Sequence, residues 1–284
     1  MLRACAAVVA VAVVCQQPAP PRPLILGVAH VRLLSSDLAK SRAFYGTLLG
    51  FSEVPQSNGM VAIFSVNDRQ RIIVRRAVED RDDRLADVAF ETPDRDAARA
   101  WLASHGMKAT AADEPGEGGG NAVETVDPDG HAIRLITLTG GVTPRDGASR
   151  RLSTRILHAG LTVRDASRAD AFYKDVLGFS EIWRGGRTDT STNWINMRVP
   201  DGTDYLEYML TTGTLDRRQL GNEHHIALLV SSIQDALEAV RARTPAADPN
   251  HRATPHIGFN RKWQLNVYDP DGTRIEFMEP WTAR

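Results

Sequence analysis

A copied segment constrains this chain more than any other feature of its sequence. Residues 30–51 and 158–179 both begin with histidine, contain a Phe-Tyr pair and end in Leu-Gly-Phe, each pair 128 residues apart. A second shared motif, Asp-Pro-Asp-Gly, occurs at 127–130 and 269–272, an offset of 142. Constant spacing over such a length indicates that one structural unit occurs twice. The larger second offset means that the second copy has gained 14 residues, which we expect in loops.

Each copy consists of two smaller units that begin alike. A short strand with alternating apolar residues opens each unit, as at Val31 and Leu33, and a helix with a polar first residue follows. Gly50 and Gly178 stand where a helix end favours a left-handed residue. Short strands close each unit, so the sequence predicts a β-α-β-β-β pattern four times. The predicted helix-capping residues are Asp37, Asp94, Asp165 and Ser232.

Four such modules, paired into two half-open barrels, resemble the vicinal oxygen chelate superfamily. Its members include glyoxalase I, methylmalonyl-CoA epimerase, extradiol dioxygenases and bleomycin-resistance proteins. The resemblance covers about residues 27 to 281 and rests on the strand-helix starts, Leu-Gly-Phe and Asp-Pro-Asp-Gly. It implies an α+β fold with two glyoxalase-like domains, at 27–140 and 155–284, joined by a linker at 141–154. One fold hosts many activities, so function must come from the site.

The beginning of the chain differs from the rest. Residues 4–14 are apolar and uncharged, too short to span a bilayer but typical of a secretory leader, which we place at 1–17. Residues 18–26 are a Pro-rich linker. Cleavage, lipid anchoring at Cys15 and an uncleaved apolar start all stay open, and we expect export to the periplasm or a lipid anchor. Cys5 and Cys15 both fall in the leader, so the folded body has no thiol.

Charge balance narrows the class of partner. The chain has 34 Lys and Arg against 35 Asp and Glu, so no summed field favours phosphate backbones. We therefore expect a small-molecule substrate rather than nucleic acid. The sequence leaves open a monomer or a homodimer.

Strand alternation brings a possible metal site to one face of the second copy. Ala159, Leu161 and Val163 fit against helices, which leaves His158 on the opposite, concave face, here called the cup. The same register places His225, Glu207 and Glu276 in that cup. Buried carboxylates are costly unless compensated, and a divalent cation offsets that cost.

Two imidazoles and two carboxylates suit one Zn²⁺, Ni²⁺, Co²⁺, Mn²⁺ or Fe²⁺ ion. By resemblance, these four residues occupy the family's ligand positions. Singly, each would be read as a core histidine or a solvated glutamate. The position of Glu207 depends on a residue count that no shared motif fixes.

The first copy has a different set at the same places. His30 matches His158, but Asp87 stands in the place of His225 and Arg134 in the place of Glu276. An arginine does not coordinate a metal. We therefore expect a buried ion-paired cluster and a degenerate site in the first cup.

Two longer stretches of the second copy are candidates for loops over its cup. One is Gly185–Asn193, and the other is Asn250–Trp263. The second stretch could contact an anionic or enolate oxygen, although exposed solvated loops stay the simpler interpretation. Its candidate residues are His251, His256, Arg261, Lys262 and Trp263.

The resemblance leaves several activities open. In a glyoxalase- or epimerase-like lyase or isomerase, the metal would stabilise an enediolate, with Glu207 or Glu276 as general base. In an Fe²⁺ extradiol dioxygenase, His158, His225 and Glu276 would suffice. That class also places a histidine and a tyrosine near the metal, for which His256 and Tyr268 are candidates. A non-catalytic binder of the bleomycin-resistance type is the third alternative, although such proteins generally lack the ligand set.

Overall fold

The computed structural model describes residues 20–56, 59–112, 120–139 and 150–283. The predicted leader at 1–17, with both cysteines, and residues 141–149 of the predicted linker lie outside these ranges. Within the part of the chain described, no helix is long and apolar enough to cross a membrane.

The first copy forms one mixed sheet of eight strands, in the order β2-β3-β4-β1-β5-β8-β7-β6. Its two opening strands pair antiparallel at the centre, and each pairs parallel with the last strand of its own module. The strands are β1 Gly27–Ser35, β2 Ser52–Val54, β3 Val61–Ser65, β4 Arg71–Arg76, β5 Leu85–Glu91, β6 Thr110–Ala111, β7 Gly120–Val126 and β8 Ala132–Leu138.

The second copy repeats this sheet, in the order β10-β11-β12-β9-β13-β16-β15-β14. Each cup is thus formed by two modules of the same copy. The predicted α+β fold of four βαβββ modules in two half-open barrels is confirmed. The strands are β9 Ile156–Val163, β10 Ser180–Gly185, β11 Trp194–Arg198, β12 Tyr205–Leu210, β13 His225–Leu229, β14 His256–Ile257, β15 Lys262–Tyr268 and β16 Arg274–Thr282.

Each module carries its helix behind the sheet. All four predicted capping side chains accept hydrogen bonds from backbone N–H groups of the first helical turn. The helices are α1 Leu38–Ser41, which continues as a π-helix over Arg42–Leu48, α2 Arg95–Ser104, α3 Ala166–Asp170, which continues as a π-helix over Ala171–Val176, α4 Arg217–Glu223 and α5 Ile233–Arg243.

The Phe-Tyr pairs of the repeat connect the two copies. Tyr45 is fully buried and its hydroxyl donates to Asp269, while Tyr173 donates to Asp127, each over 2.9 Å. Each acceptor is the first aspartate of an Asp-Pro-Asp-Gly turn in the other copy. The two shared motifs therefore hold the copies together through matching hydrogen bonds.

The expectation that all added residues lie in loops is wrong in part. Helix α4 lies between β12 and β13, whereas residues 77–84, which connect β4 and β5 in the first copy, contain no helix. Asp216 caps this helix in a capping box with Gln219. Helix α4 ends at Glu223, and His224 follows it directly before His225, the first residue of β13.

Candidate metal centre

Two imidazole rings face each other at the centre of the second sheet. His158 lies on β9 between residues that pack under the helices, and His225 is the first residue of β13. Their Nε2 atoms lie 2.9 Å apart, and both residues are buried. Two nitrogen lone pairs at this distance repel each other unless a proton or a cation lies between them.

Gly160 makes room for the His225 ring. It is the residue of β9 that pairs with His225, and a Cβ atom at position 160 would lie 2.1 Å from two atoms of that ring. A larger residue would therefore push the imidazole out of its place beside His158. Strand alternation puts Gly160 on the same face as His158, but its role becomes visible only in the pairing of β9 with β13.

Two carboxylates complete the set from the neighbouring strands. Oε2 of Glu207, on β12, lies 3.6 Å from Nε2 of His158 and 3.3 Å from Nε2 of His225. Oε2 of Glu276, on β16, lies 3.4 Å from Nε2 of His225. One possible ligand atom from each of the four residues lies within 4.8 Å of the others. The structure thus brings all four predicted residues together, including Glu207.

The backbone orients the ring of His225. Nδ1 of His225 lies 2.9 Å from the carbonyl oxygen of Glu223 and also 2.9 Å from Nη2 of Arg274. One nitrogen cannot donate to the first and accept from the second. A proton on Nδ1, donated to the carbonyl, leaves the Nε2 lone pair directed at the other three side chains, as metal-bound histidines require. Arg274 then receives no acceptor from His225.

Burial and charge shift the ionisation of the cluster. Burial, aided by the charge of Arg274, lowers the pKa of His225 to about 3, so this ring stays neutral and able to coordinate. Burial pushes the pKa of Glu207 upward, but hydrogen bonds with the two histidines outweigh burial and hold that pKa well below its usual range. Burial raises the pKa of Glu276, and the charge of Glu207 adds to that effect.

These donors fit a divalent cation. Among the described residues, Oε1 of Glu276 and Nδ1 of His158 are buried without a hydrogen-bond partner, which is costly for polar atoms. Nitrogen and carboxylate donors from His158, Glu207, His225 and Glu276 match the ligands of Zn²⁺ and similar ions. A cation among them would separate the facing lone pairs and neutralise both carboxylates. The identity of the metal is not fixed by this donor set.

A small cavity of about 170 Å³ opens onto both carboxylates. Trp194 and Phe259, which stack on each other with ring centroids 4.8 Å apart, line this cavity, and Trp183 adds a further apolar surface. Arg274, His256, Asn260 and Gln264 line the same cavity. This cavity fits a small ligand with a flat or apolar portion.

The predicted loop residues divide into two groups. Of the candidates in Asn250–Trp263, His256 lines the cavity, together with its neighbours at 257–260. His251 instead contacts the carbonyl oxygen of Thr244, and Lys262 donates to that of Pro280. Arg261 and Trp263 are exposed and do not line this cavity. Gly185–Asn193 contributes no lining residue, although Arg187 lies over Trp194.

Tyr268 is not beside the candidate metal ligands. Its side chain is 41% exposed, and its hydroxyl donates to Asn222 outside the cavity. Asn266, two residues earlier on β15, is paired with Glu276 instead. The suggestion that Tyr268 serves as the dioxygenase tyrosine is therefore wrong in its placement.

Sequence reasoning missed a pair of asparagines beside the two glutamates. Asn196 on β11 is paired with Glu207, and Asn266 on β15 with Glu276. Each has a buried Oδ1 atom without a hydrogen-bond partner among the described residues. Strand alternation could have found them, since both lie on the inward face once the register of the hairpins is known.

The first cup holds an ion-paired cluster, as expected. Asp87 accepts a hydrogen bond from Nε2 of His30 over 2.8 Å and lies 3.6 Å from Nε of Arg134. Sequence reasoning missed Arg32, which donates to Asp87 over 2.7 Å and occupies the strand position of Gly160. Ile73 stands where the second cup has Glu207. Arginine charges here offset carboxylates without a cation, because Nη2 of Arg134 also lies 2.8 Å from the carboxylate of Glu124.

Comparison with known proteins agrees with this architecture. A family model described as the Glyoxalase/Bleomycin resistance protein/Dioxygenase superfamily matches residues 27–135 and 155–277. The chain is 34% identical over 131 residues to a lactoylglutathione lyase of Haemophilus influenzae, covering 44% of this chain and 92% of that protein. A lactoylglutathione lyase of Salmonella typhimurium is 30% identical over the same length and coverage.

Solved structures similar to this chain include two dioxygenases. Homoprotocatechuate 2,3-dioxygenase from Arthrobacter globiformis covers 92% of this chain and 82% of its own, with a TM-score of 0.71 and 22% identity. The 2,3-dioxygenase LapB from Pseudomonas sp. KL28 covers 91% and 93%, with a TM-score of 0.69 and 18% identity. At these identities the likeness concerns the fold.

Proposed function

We propose that this chain, which belongs to the Glyoxalase/Bleomycin resistance protein/Dioxygenase superfamily, is a metal-dependent lyase or isomerase of the glyoxalase kind. Its substrate would be small and carry two neighbouring oxygen atoms. The observation that carries this proposal is Glu207, which lies within reach of both imidazoles and makes a set of four ligands rather than three. The curated lactoylglutathione lyases support the same class.

The histidines and the glutamates of the set have different parts in this proposal. His158 and His225 would hold the cation, with His225 oriented by the Glu223 carbonyl. When bound, the cation supplies Lewis-acid stabilisation of negative charge on the substrate oxygens. Glu207 or Glu276 would take the proton from the carbon beside those oxygens and return it to the neighbouring carbon. The aromatic wall limits access of water to this proton transfer.

A second candidate function is an Fe²⁺ extradiol dioxygenase. The cluster contains the set of two histidines and one carboxylate, His158, His225 and Glu276, that such chemistry uses. The chain, whose first cup lacks the four ligand residues, also has the fold of the solved dioxygenases. The position of Tyr268 outside the cavity counts against this candidate.

The two candidates differ in what they require of Glu207. We expect purified protein to hold about one metal ion per chain by elemental analysis and to form S-lactoylglutathione from methylglyoxal and glutathione, or to isomerise a smaller hydroxycarbonyl compound. Glu207→Gln should reduce that rate at least a hundredfold, whereas the exposed control Glu238→Gln should not change it.

Oxygen uptake tests the alternative directly. Fe²⁺-loaded protein that consumes O₂ with catechols, and keeps that activity in Glu207→Gln, would replace the lyase proposal with the dioxygenase. Protein that binds no divalent metal would overturn both.

A further inference from the structure

Arg274 is an unusual neighbour for a metal centre. It lines the cavity together with Glu207 and Glu276, and its Nη2 atom lies 2.9 Å from Nδ1 of His225. Its Nε atom is buried without a hydrogen-bond partner, and no carboxylate among the described residues lies within 4.0 Å to form an ion pair with it. The corresponding position in the first cup is Ala132.

When a divalent cation is bound in the cup, the positive charge of Arg274 has no negative charge to balance it. The carboxylates of Glu207 and Glu276 together balance the charge of a divalent cation held among the four ligands. The guanidinium then adds a positive charge, and among the described residues no other carboxylate lies within ion-pair distance to offset it. A partly buried charge without a partner is costly, so a ligand that supplies the missing negative charge is favoured.

The shape of the cavity limits what that ligand can be. Its volume of about 170 Å³ admits a single ring or a chain of similar size, and Trp183, Trp194 and Phe259 present flat apolar surfaces. A guanidinium can bind both oxygens of one carboxylate at once. The cup thus combines a metal, an aromatic wall and an anion-binding side chain.

We propose that Arg274 is a specificity-determining residue that selects substrates carrying an acid group on a small flat body, in addition to the two neighbouring oxygens. This inference rests on the proposed function, because it takes the cation as bound. It holds for either reaction considered above, since it concerns the charge of the substrate. Neutral substrates of the same shape would leave the guanidinium uncompensated.

The test uses full-length protein loaded with zinc, which prevents oxidative turnover, and two probes with the same diol. One is 3,4-dihydroxybenzoate, and the other is the neutral 3,4-dihydroxybenzamide. By titration calorimetry we expect wild type to bind the carboxylate at least tenfold more tightly than the amide. Arg274→Gln should lose most of this preference, mainly through a tenfold or greater loss of carboxylate affinity, with the amide little changed.

Matched variants separate this effect from general electrostatics. Arg187 is exposed and lies over Trp194 outside the cavity lining, so Arg187→Gln should keep the preference. Arg274→Lys retains the positive charge and should keep most of the preference for the carboxylate probe. If Arg274→Gln is recovered without zinc, the preference measured in Arg274→Lys tests the proposal instead.

Zinc content, measured on the same samples, keeps the two proposals apart. Stoichiometric zinc with equal binding of the two probes, or with no measurable binding of the carboxylate, overturns the role of Arg274 and leaves the metal centre standing. Absence of zinc from wild type overturns the proposed function and this inference together.

Discussion

The two cups of this protein have the same strand arrangement but different inward-facing side chains. In both, the first strand of the copy pairs antiparallel with the first strand of the next module and places a histidine at its centre. In the second cup, Gly160 leaves space beside that histidine, and four possible ligands converge there. In the first cup, Arg32 fills the same space and donates to Asp87. A cation site therefore depends on empty space as much as on the residues that surround it.

Neutralisation of buried carboxylates is achieved differently in the two cups. Burial alone would raise the pKa of Asp87, but hydrogen bonding with His30 and the charges of Arg32 and Arg134 outweigh it and lower that pKa. Ile63 and Ile73 pack together beside this cluster. The second cup has Asn196 and Glu207 at these two positions. The buried aspartate of the first cup is thus paired within the protein, whereas Asn196, Asn266 and Glu276 of the second cup each have a buried oxygen without a hydrogen-bond partner among the described residues.

The largest expected effect comes from giving the second cup a residue of the first. Glu276→Arg places a guanidinium where the first cup has Arg134, which removes one ligand and repels a cation. We expect complete loss of bound metal and at least a thousandfold loss of activity. Elemental analysis after metal loading measures the bound metal. Arg134→Ala is the control and should leave metal content unchanged; retention of metal in a folded Glu276→Arg protein would contradict the proposed site.

A smaller change tests the space beside His225. Gly160→Ala introduces a Cβ atom that would lie 2.1 Å from the imidazole, so the ring must move. We expect metal affinity to fall at least tenfold, measured by competition with a chromogenic chelator. Gly59→Ala serves as the control because no atom lies within 4 Å of its added Cβ. Unchanged affinity in Gly160→Ala would show that the ring position is not needed for binding.

The matching aspartates of the two Asp-Pro-Asp-Gly turns should respond oppositely to pH. Burial raises the pKa of Asp269 to about 6, whereas at Asp127 hydrogen bonding with His131 outweighs burial and lowers the pKa. Because the pKa of Asp269 is higher in the folded than in the unfolded protein, its contribution to the free energy of unfolding falls by roughly 2–3 kcal/mol as pH rises from about 4 to 6. Because the pKa of Asp127 is lower in the folded protein, its contribution falls only when pH drops below about 4.

Thermal unfolding at several pH values checks this difference. Asp269→Asn should gain stability relative to wild type as pH rises from 4 to 6. Asp127→Asn should show no such gain. Parallel pH profiles for the two variants would contradict the assignment.

The smallest expected effects concern the hydrogen bonds between the copies. Tyr45→Phe and Tyr173→Phe each remove one donor to a buried aspartate and should cost about 1–3 kcal/mol in the free energy of unfolding. Denaturant titration measures both. The exposed Tyr268→Phe is the control and should cost under about 1 kcal/mol. If Tyr45→Phe and Tyr173→Phe cost no more free energy of unfolding relative to wild type than Tyr268→Phe does, the hydrogen bonds between the copies contribute little.

Much of the fold could be predicted because its signals are local or repeated. The side chains of Asp37, Asp94, Asp165 and Ser232 cap helices as expected, and Gly50 and Gly178 have the positive φ angles that their position after a helix predicts. Alternation placed His158, His225 and Glu276 on one face because the side-chain period of a strand is fixed. Helix α4 was missed because the first copy has no counterpart for it.

The sequence by itself determined the duplication, the module pattern and the inward face of His158, His225 and Glu276, since these follow from spacing along the chain, whereas the position of Glu207 became certain only with the pairing of β12. Tertiary structure alone decided which side chains share a cavity. It brought Asn196 and Asn266 beside the glutamates, put Tyr268 outside their cavity, and placed Arg32 in the space that Gly160 leaves open. These relations depend on the register and curvature of strands far apart in the chain, which local periodicity does not encode.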